Sequence, residues 1–379
     1  MSAPIHRREF LGQTATTASG LALVGSARAE EDTISNESSA NLKVGFVTHA
    51  GGAHLDAYFT ALAAAEEVGS VVLADADGKS ETMARNILGE KLRQVYKDCN
   101  RLFAQEKPAM ALISMEAKES PAAIRAALEA GCHVFAEKPA CTRAEDFQLL
   151  VEMANSKDLY LMLALANRLN PEIVEAKRLI ATGLLGKIYG LEMHLIADQT
   201  RLTKPSYQQT WQAHRDRAGG GHLAWLGIHW LDLAMYLTNS RIKQVAGFAG
   251  NVGGQPIDVE DSAAMSMRFD NGTYGTLTSG YYLDRGYHSL IKIWGAAGWL
   301  QISREMPNSV EWYSNKTSKT ETFTGPSDHN AYSTFVRAAV RASAGLQSPP
   351  LTGDESLYVL KTIFGLYRAA ESGKTQQIE

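Results

Sequence analysis

The clearest fold signal is the segment KVGFVTHAGGAH, residues 43–54, an apolar run that ends in a glycine-containing turn. A helix-like pattern follows at about residues 53–67. A strand that passes through a glycine turn into a helix is where a dinucleotide-binding fold holds a pyrophosphate against the helix N-terminus. The full G-x-G-x-x-G spacing is absent, so this turn alone is weak evidence. It predicts Thr48, Gly51 and Gly52 as cofactor-binding residues.

Short apolar runs alternate with helix-like stretches through the rest of the first half of the chain. The runs are residues 44–47, 71–74, 111–113, 133–136 and 160–163, and the helix-like stretches lie at about 53–67, 79–88, 120–130 and 143–157. Continuous apolar strands that alternate with helices favour a parallel sheet covered on both faces. We therefore predict a doubly wound Rossmann domain over residues 43–165.

Asp75 ends the second apolar run, 24 residues after Gly51. A carboxylate at this position accepts the 2'-hydroxyl of an adenosine ribose and repels a 2'-phosphate. Asp75 therefore favours NAD over NADP as the cofactor. A simple turn-forming role at the strand end is the alternative.

The pattern changes after Pro171. Strand-like segments at 263–269 and 274–279 flank Asp270-Asn271-Gly272, a turn signal for an antiparallel hairpin, and residues 191–197 form a further strand. We predict an α/β substrate and oligomerisation domain over residues 166–350, built on a large, mostly antiparallel open sheet. Its helices are expected at about 171–182, 221–238 and 328–345. A C-terminal segment, 351–379, carries a last helix that packs back toward the Rossmann domain.

Composition places the chain among ordinary globular proteins of two domains: 379 residues, 45% hydrophobic and 21% charged. The formal net charge of -4, without a run of basic residues, gives no electrostatic footprint for nucleic acid. Three cysteines are too few for a disulfide framework, and we interpret them as buried apolar residues.

The N-terminus carries Arg7-Arg8 ahead of a weakly apolar stretch, residues 11–24, that closes with Ala27-Arg28-Ala29. This pattern predicts a cleavable twin-arginine export signal over residues 1–29, followed by a flexible linker over 30–42. The mature protein would be periplasmic or otherwise exported, with no membrane span. An ordinary amphipathic first helix is the alternative.

Two motifs carry the chemistry. Glu137-Lys138-Pro139 ends the fifth predicted strand, where ligands of doubly wound sheets bind. In the second motif, residues 221–233, helical spacing places four side chains on one face: His222, Trp225, His229 and Asp232.

Together with Asn167-Arg168-Leu169-Asn170-Pro171, the turn at 183–186, Gly219-Gly220-Gly221 and Ile293-Trp294-Gly295, these motifs resemble the Gfo/Idh/MocA oxidoreductases. The resemblance covers nearly the whole mature chain. It implies a nicotinamide-binding Rossmann domain, a carbohydrate or polyol substrate and a homo-oligomer.

The resemblance also implies roles for single residues. Lys138 would contact the substrate hydroxyl and the cofactor edge, and His229 would take a hydroxyl proton as the catalytic histidine. Asp232 would either orient His229 or cap the helix surface. The remaining candidates are Arg168 and His222 for the substrate, and Ser114 and Glu137 for the cofactor.

The chain departs from the family pattern around the reacting carbon. Trp225 stands four residues before His229, where the family usually has aspartate, and Ser114-Met115-Glu116-Ala117 replaces a Ser/Thr-Pro-Asn/His loop. Tryptophan exchanges no proton at neutral pH, so the acid/base role falls to Lys138 and His229, with His222 as an additional candidate. Trp225 is instead expected to stack on a sugar ring. These departures, with the altered glycine turn, disfavour a freely exchanging dehydrogenase.

We therefore predict an exported oxidoreductase with tightly bound NAD that transfers hydride at a ring carbinol of a sugar or cyclic polyol. The alternatives are a glycoside hydrolase or lyase that uses NAD for transient sugar oxidation, and a binding protein that kept the fold without catalysis. A metal site is not expected, because His222 and His229 are about 10.5 Å apart along a helix at 1.5 Å per residue.

Overall fold

The computed structural model describes residues 41–49 and 51–379. The predicted export signal and all but the last two residues of the predicted linker lie outside this part of the chain. Within it, no helix combines the length and the apolar character needed to cross a membrane.

The first half folds as a six-stranded parallel sheet in the order β3-β2-β1-β4-β5-β6. Its strands are β1 (Leu42–Thr48), β2 (Val68–Asp75), β3 (Leu92–Tyr96), β4 (Met110–Ser114), β5 (His133–Ala136) and β6 (Leu161–Leu163). The helices between them are α1 (Leu55–Ala64), α2 (Glu81–Leu88), α3 (Cys99–Glu106), α4 (Ser120–Glu129) and α5 (Ala144–Ser156). The predicted doubly wound sheet is confirmed.

Two elements of this half were missed by the sequence prediction, β3 and α3. β3 lies at the edge of the sheet, and its sequence LRQVY exposes Arg93 and Gln94. An edge strand needs no continuous apolar run, since one side of it is open to solvent. The apolar pattern that marked the other five strands is therefore weak here.

The second half is built on a nine-stranded sheet in the order β14-β13-β12-β11-β7-β10-β9-β8-β15. The strands are β7 (Ile188–Asp198), β8 (Ile242–Gly250), β9 (Ser262–Phe269), β10 (Tyr274–Leu283), β11 (Tyr287–Gly295), β12 (Gly298–Ser303), β13 (Ser309–Ser314), β14 (Lys319–Thr324) and β15 (Gln376–Gln377). All neighbours pair antiparallel except β7 and β10. The hairpin predicted at Asp270-Asn271-Gly272 joins β9 and β10 and is confirmed.

Helices α6 (Pro171–Ala181), α9 (Ile228–Thr238) and α11 (Gly353–Ser372) contact this sheet, and the short α7 (Pro205–Gln208) and α8 (Arg215–Ala218) lie in the segment after β7. α10 (Ala331–Ser343), which was expected on this sheet, packs instead against α1 of the first half. α9 does not begin at residue 221 as predicted. Residues Leu223–Gly227 form a π-helical turn before it. A π turn adds one residue to the helical repeat, so side chains before and after it no longer keep the predicted alignment.

The last helix joins the two halves. α11 contacts α5 and β6 of the parallel sheet as well as β8 of the second sheet. Its Ser356 hydroxyl accepts a hydrogen bond from Leu163 N at 3.3 Å. Thr352 and Glu355 form a reciprocal capping box at its start, which fixes where the helix begins.

Candidate active site

The carboxyl ends of the inner strands meet at one edge of the parallel sheet. Thr48 pairs in register with Asp75 of β2 and with Ser114 of β4. The Thr48 hydroxyl donates to Ser114 O at 2.8 Å. The strand order reverses between β1 and β4, and such a reversal opens the crevice in which doubly wound sheets bind ligands.

The glycine turn is built for close approach of the backbone to a ligand. Gly51 has φ +88°, which favours glycine. A Cβ on Gly52 would overlap the Thr48 hydroxyl and lie 2.7 Å from Ser114 O. α1 starts directly afterwards, and no side chain caps its free N–H groups. The altered turn therefore still fits a pyrophosphate at a helix N-terminus.

Asp75 has one carboxylate oxygen to spare. Its side chain is buried, and Oδ2 accepts a hydrogen bond from Ser80 N at 2.7 Å, whereas Oδ1 has no hydrogen-bond partner within residues 41–49 and 51–379. Burial raises the pKa of Asp75. An acceptor without a partner at the end of β2 fits the ribose hydroxyl of NAD. The glycine turn and Asp75 together fit the cofactor.

Lys138 is buried at the end of β5 together with Glu137. Its Nζ donates to the Trp225 carbonyl at 2.6 Å and lies 3.5 Å from Glu137 Oε1. The other carboxylate oxygen of Glu137 lies 3.1 Å from His54 Nδ1 and accepts a hydrogen bond from Tyr58. Lys138, Glu137, His54 and Tyr58 thus form one hydrogen-bonded cluster at the end of β5.

The charges of this pair shift both of their pKa values. Burial lowers the pKa of Lys138 to about 8, against the opposing attraction of Glu137. Burial alone would raise the pKa of Glu137, but the charge of Lys138 and the hydrogen bond from His54 hold it below its usual value. Lys138 is therefore able to gain or lose a proton near neutral pH, while Glu137 stays ionised.

His229 belongs to the same electrostatic environment. It is half-buried, and its Nδ1 atom has no hydrogen-bond partner. Burial lowers the pKa of His229 to about 3, and the charge of Lys138 lowers it further. The imidazole is therefore neutral at physiological pH, able to hold a hydroxyl group but not to carry a positive charge.

Trp225 is not the open stacking surface that we predicted. Lys138 Nζ lies 3.4 Å from its ring centroid, His54 stacks on it at 6.0 Å, and Trp211 meets it edge-on at 5.4 Å. A desolvated ammonium group thus occupies the indole face, and stacking on a sugar ring stays a prediction that requires the two to separate. Beside Trp225, the remaining cavity measures about 10 Å³, the space of a single water.

The four helix residues predicted to share one face have different surroundings. His222 lies before the π turn, fully buried, with Nδ1 2.6 Å from the Ser279 hydroxyl of β10. Burial lowers the pKa of His222 to about 3. Asp232 neither orients His229 nor caps the helix surface, because both of its oxygens accept hydrogen bonds from Arg168.

Arg168 is likewise not placed to bind a substrate. Its three nitrogens are already bonded to Asp232, Glu355 and, at 3.5 Å, Pro350 O. Although burial opposes the charge, Asp232 and Glu355 raise the pKa of this guanidinium. The pair joins the turn before α6 to α9 and α11, and its role is structural.

Three residues of the site were missed from the sequence: His54 and Tyr58, which bond to Glu137, and Trp211, whose indole N–H donates to Gly51 O at 2.9 Å. A signal existed for the first two. His54 and Tyr58 are four residues apart at the start of α1, so their side chains share a face. Trp211 lies 160 residues from Gly51, and no local pattern connects them.

No group of three or more His, Cys, Asp or Glu side chains that would hold a metal ion occurs in residues 41–49 and 51–379.

Comparisons with known proteins identify the family that both halves of the chain match. Residues 44–165 match the oxidoreductase family with an NAD-binding Rossmann fold, and residues 173–301 match the GFO/IDH/MocA C-terminal domain. Levoglucosan dehydrogenase of Pseudarthrobacter phenanthrenivorans is 28% identical over 173 residues, 40% of this chain and 44% of that protein. The 1,5-anhydro-D-fructose reductase of Ensifer adhaerens is 25% identical over 263 residues, 67% of this chain and 75% of that protein.

Solved structures show the same fold. An oxidoreductase domain protein from Kribbella flavida superimposes with a TM-score of 0.81 at 21% identity, covering 90% of this chain and 100% of its own. A levoglucosan dehydrogenase in complex with NADH and L-sorbose gives a TM-score of 0.79 at 20% identity, over 89% and 99% of the two chains. With both halves matched, this chain belongs to the Gfo/Idh/MocA oxidoreductase family and carries an NAD-binding Rossmann domain.

Proposed function

We propose that this protein is an NAD-dependent oxidoreductase that acts at a ring carbinol of a sugar or cyclic polyol. The observation that carries the proposal is the pairing of Lys138, with a pKa of about 8, and a neutral His229 at the carboxyl edge of the NAD-binding sheet. Oxidation of a carbinol needs an acceptor for the hydroxyl proton and a fixed orientation of the C–H bond. These two residues supply the acceptor and the orientation.

In the oxidation direction, His229 holds the hydroxyl group and the neutral amine of Lys138 takes its proton. When bound, NAD supplies the nicotinamide ring that accepts the hydride. Glu137 stabilises the resulting ammonium group, and Tyr58 and His54 hold Glu137 in place. A sugar hydroxyl reaches Lys138 only when the indole of Trp225 shifts off the ammonium group, since the two are in contact.

Turnover tests this proposal directly. The purified protein, loaded with NAD, should reduce it in the presence of one or more members of a panel of sugars and cyclic polyols, and Lys138→Ala should abolish the signal. Release of a free aglycone from a glycoside without net reduction of NAD would favour the glycosidase or lyase reaction instead. No reaction of either kind would contradict the proposal and favour a binding protein.

We further propose that NAD is held tightly, as a prosthetic group. The spare oxygen of Asp75 and the uncapped start of α1 support this proposal. A nanomolar dissociation constant corresponds to about 12 kcal/mol. Mass spectrometry of small molecules released by denaturation should therefore find NAD, and Asp75→Ala should retain less of it and discriminate less against NADP. A dinucleotide-free wild type with no thermal shift in excess NAD would contradict this.

Export is a separate proposal, supported by Arg7-Arg8 and by Ala27-Arg28-Ala29. Replacing both arginines by lysine should leave the precursor in the cytoplasm, and the N-terminus of the mature wild type should lie at or next to Glu30. Unchanged export of the double variant would rule out the twin-arginine route. A folded passenger that already carries NAD suits this route.

We also propose a homo-oligomer that forms through the open face of the nine-stranded sheet. On that face Trp294 and Tyr274 flank Gly190 from the two neighbouring strands, and Phe248 is 80% exposed. Exposed aromatic residues in one patch are typical of association surfaces. Light scattering should give a mass above that of one chain, and Phe248→Lys together with Tyr274→Lys should reduce it.

A further inference from the structure

Arg201 lies where the chain leaves β7 for the segment that carries α7 and α8. It closes the 3₁₀ turn Gln199–Arg201 and is only partly exposed. Its guanidinium carbon is 5.3 Å from the ring centroid of Tyr281, and it donates a hydrogen bond of 3.2 Å to the Tyr287 hydroxyl. Its direct contacts are therefore aromatic, although the pKa of Asp198 is lowered first by hydrogen bonds from Thr200 and then also by the charge of Arg201.

This guanidinium forms no ion pair with any described carboxylate. Asp198, an acid near it in the chain, accepts instead from the amide and the hydroxyl of Thr200. Other arginines that are not exposed do have carboxylate partners: Arg168 with Asp232, Arg217 with Glu116, and Arg341 with Glu67. A partly desolvated cation without a counter-ion is unfavourable, and an anion that binds there would relieve the cost.

A chain of packed rings connects Arg201 to the reacting groups. Tyr281, on which it lies, meets the buried ring of His222 edge-on at 4.5 Å. Tyr281 also belongs to the apolar cluster that Trp225 packs against, and Trp225 covers Lys138. His222 Nε2 is buried in this wall without a hydrogen-bond partner. A ligand that displaced Trp225 from Lys138 would thus meet His222 Nε2, which can donate or accept a hydrogen bond, and the Arg201 guanidinium, which has no ion-pair partner among the described residues.

Electrostatics agree with this placement. Burial is the largest cause of the lowered pKa of Lys138 and of His222, and the charge of Arg201 lowers both further. Its field therefore reaches both the proton-handling group, Lys138, and the buried His222.

We propose that Arg201 binds a carboxylate of the substrate, so that the sugar or polyol oxidised here is a sugar acid such as a uronate or an aldonate. The planar guanidinium matches a carboxylate with two parallel hydrogen bonds. One uncompensated positive charge balances one carboxylate, whereas a phosphate dianion would need more. This inference rests on the proposed oxidoreductase function, whose substrate class it narrows.

Matched ligands test it through binding as well as turnover. Calorimetry on the NADH-loaded protein should compare D-glucuronate with D-glucose and D-galacturonate with D-galactose, with D-glucose 6-phosphate as the phosphate arm. At least one uronate should bind tenfold or more tightly than its neutral partner. Arg201→Gln should weaken that uronate by about 10- to 100-fold, the worth of a charge-assisted hydrogen bond, and leave the neutral sugar unchanged.

Two further variants sharpen the result. Arg201→Lys keeps the charge but loses the planar pair of donors, so it should recover only part of the preference. Arg304→Gln is the matched control. The Arg304 guanidinium carbon lies 5.5 Å from the ring centroid of Tyr287, which Arg201 also contacts, but Arg304 is exposed to solvent. It should bind all ligands as the wild type does.

Each outcome decides the matter. No preference for either uronate, or a preference that Arg201→Gln leaves intact, overturns the inference. If D-glucose 6-phosphate binds more tightly than either uronate and this binding depends on Arg201, the site prefers a phosphate to a carboxylate. That result also overturns the inference. Neutral sugars that reduce NAD without any uronate preference overturn it while the oxidoreductase function stands. Arg201-dependent uronate binding without NAD reduction supports the carboxylate site and contradicts the oxidoreductase function.

Discussion

The protein buries charge in two places, and the two differ in how fully their polar atoms are bonded. We call the first the Lys138 cluster: Lys138, Glu137, His54, Tyr58 and His229. The second is the Arg168 cluster: Arg168, Asp232 and Glu355. In the Arg168 cluster every guanidinium nitrogen donates and both Asp232 oxygens accept. In the Lys138 cluster Glu137 Oε1 and His229 Nδ1 have no hydrogen-bond partner in the part of the chain that the structure describes.

This difference separates a structural ion pair from a reactive one. Desolvation is unfavourable for both clusters, and complete hydrogen bonding offsets it only around Arg168. The Arg168 guanidinium is held firmly charged, whereas Lys138 has a pKa of about 8 and titrates near neutral pH. A hydroxyl group that is to be oxidised needs polar atoms free to bind it and a side chain that exchanges a proton near neutral pH.

The largest expected effect is a loss of turnover when a residue of the Lys138 cluster is replaced. Lys138→Ala or His229→Ala should each lower the rate of NAD reduction by about 100- to 10,000-fold, the usual cost of losing a general acid or base. The double variant should be little worse than the worse single one, because the two residues act on one proton. Single-turnover kinetics of NAD reduction on the NAD-loaded proteins measures this.

Chemical denaturation serves as the control for these variants. His229 is half-buried on α9, so its truncation would also matter if its role were packing. A stable, NAD-loaded His229→Ala protein with full activity would remove His229 from the mechanism. A protein that loses stability and activity in parallel would assign it to the helix core.

The next largest effect is on stability, and it concerns the Arg168 cluster. Asp232→Ala leaves the Arg168 guanidinium buried against a single, more exposed partner, Glu355. The free energy of unfolding should fall by about 3–5 kcal/mol. Arg168→Met combined with Asp232→Leu should recover most of it, since no buried charge is then left unpaired.

Urea denaturation measures both variants, and kinetics at a permissive temperature separates the clusters. Folded Asp232→Ala protein should keep a near-normal rate and an unchanged pH dependence. A specific loss of substrate affinity with normal stability would instead return Arg168 and Asp232 to the substrate site.

The residues of these two clusters show which parts of the site could be predicted from the sequence. Lys138 and Glu137 were predictable because a strand end in a doubly wound sheet is a fixed location relative to the cofactor. The surroundings of Asp232 were not predictable. The π turn at Leu223–Gly227 changes the alignment of the helix faces, and no residue pattern marked that turn. Periodicity therefore grouped His222 with Asp232, although the structure separates them.

Long-range partners were beyond local patterns for a second reason. His54 meets Glu137 across 83 residues, and Arg168 meets Glu355 across 187. The sequence shows that such residues are charged or polar, but not which of them will neutralise one another. Whether a buried arginine is satisfied, like Arg168, or lacks a carboxylate, like Arg201, is visible only once the chain is folded.

A smaller effect is expected in the pH dependence of turnover. Lys138 must be neutral to accept the hydroxyl proton, so kcat/KM for oxidation should rise about tenfold per pH unit below about 8 and level off above it. In the reverse direction, reduction of the carbonyl, the ammonium form of Lys138 donates the proton. The rate of reduction should therefore fall above about pH 8, where that form is lost. Since the pKa of His229 is about 3, no histidine-like step should appear near neutral pH. A rate that is flat across this range would exclude Lys138 as the proton acceptor.

The smallest effect belongs to Trp225, which covers the Lys138 ammonium. Its indole stabilises the charged form by a cation–π contact of about 1 kcal/mol, equivalent to about 0.7 pH unit. Trp225→Leu should therefore move the rise in kcat/KM to lower pH by about that amount, which increases the rate near pH 7 a few-fold and leaves the plateau unchanged. Trp225→Phe keeps an aromatic face and should shift the profile by less. If Trp225→Leu leaves the pH profile in place and only raises KM for the sugar, the indole acts on the substrate ring and not on Lys138.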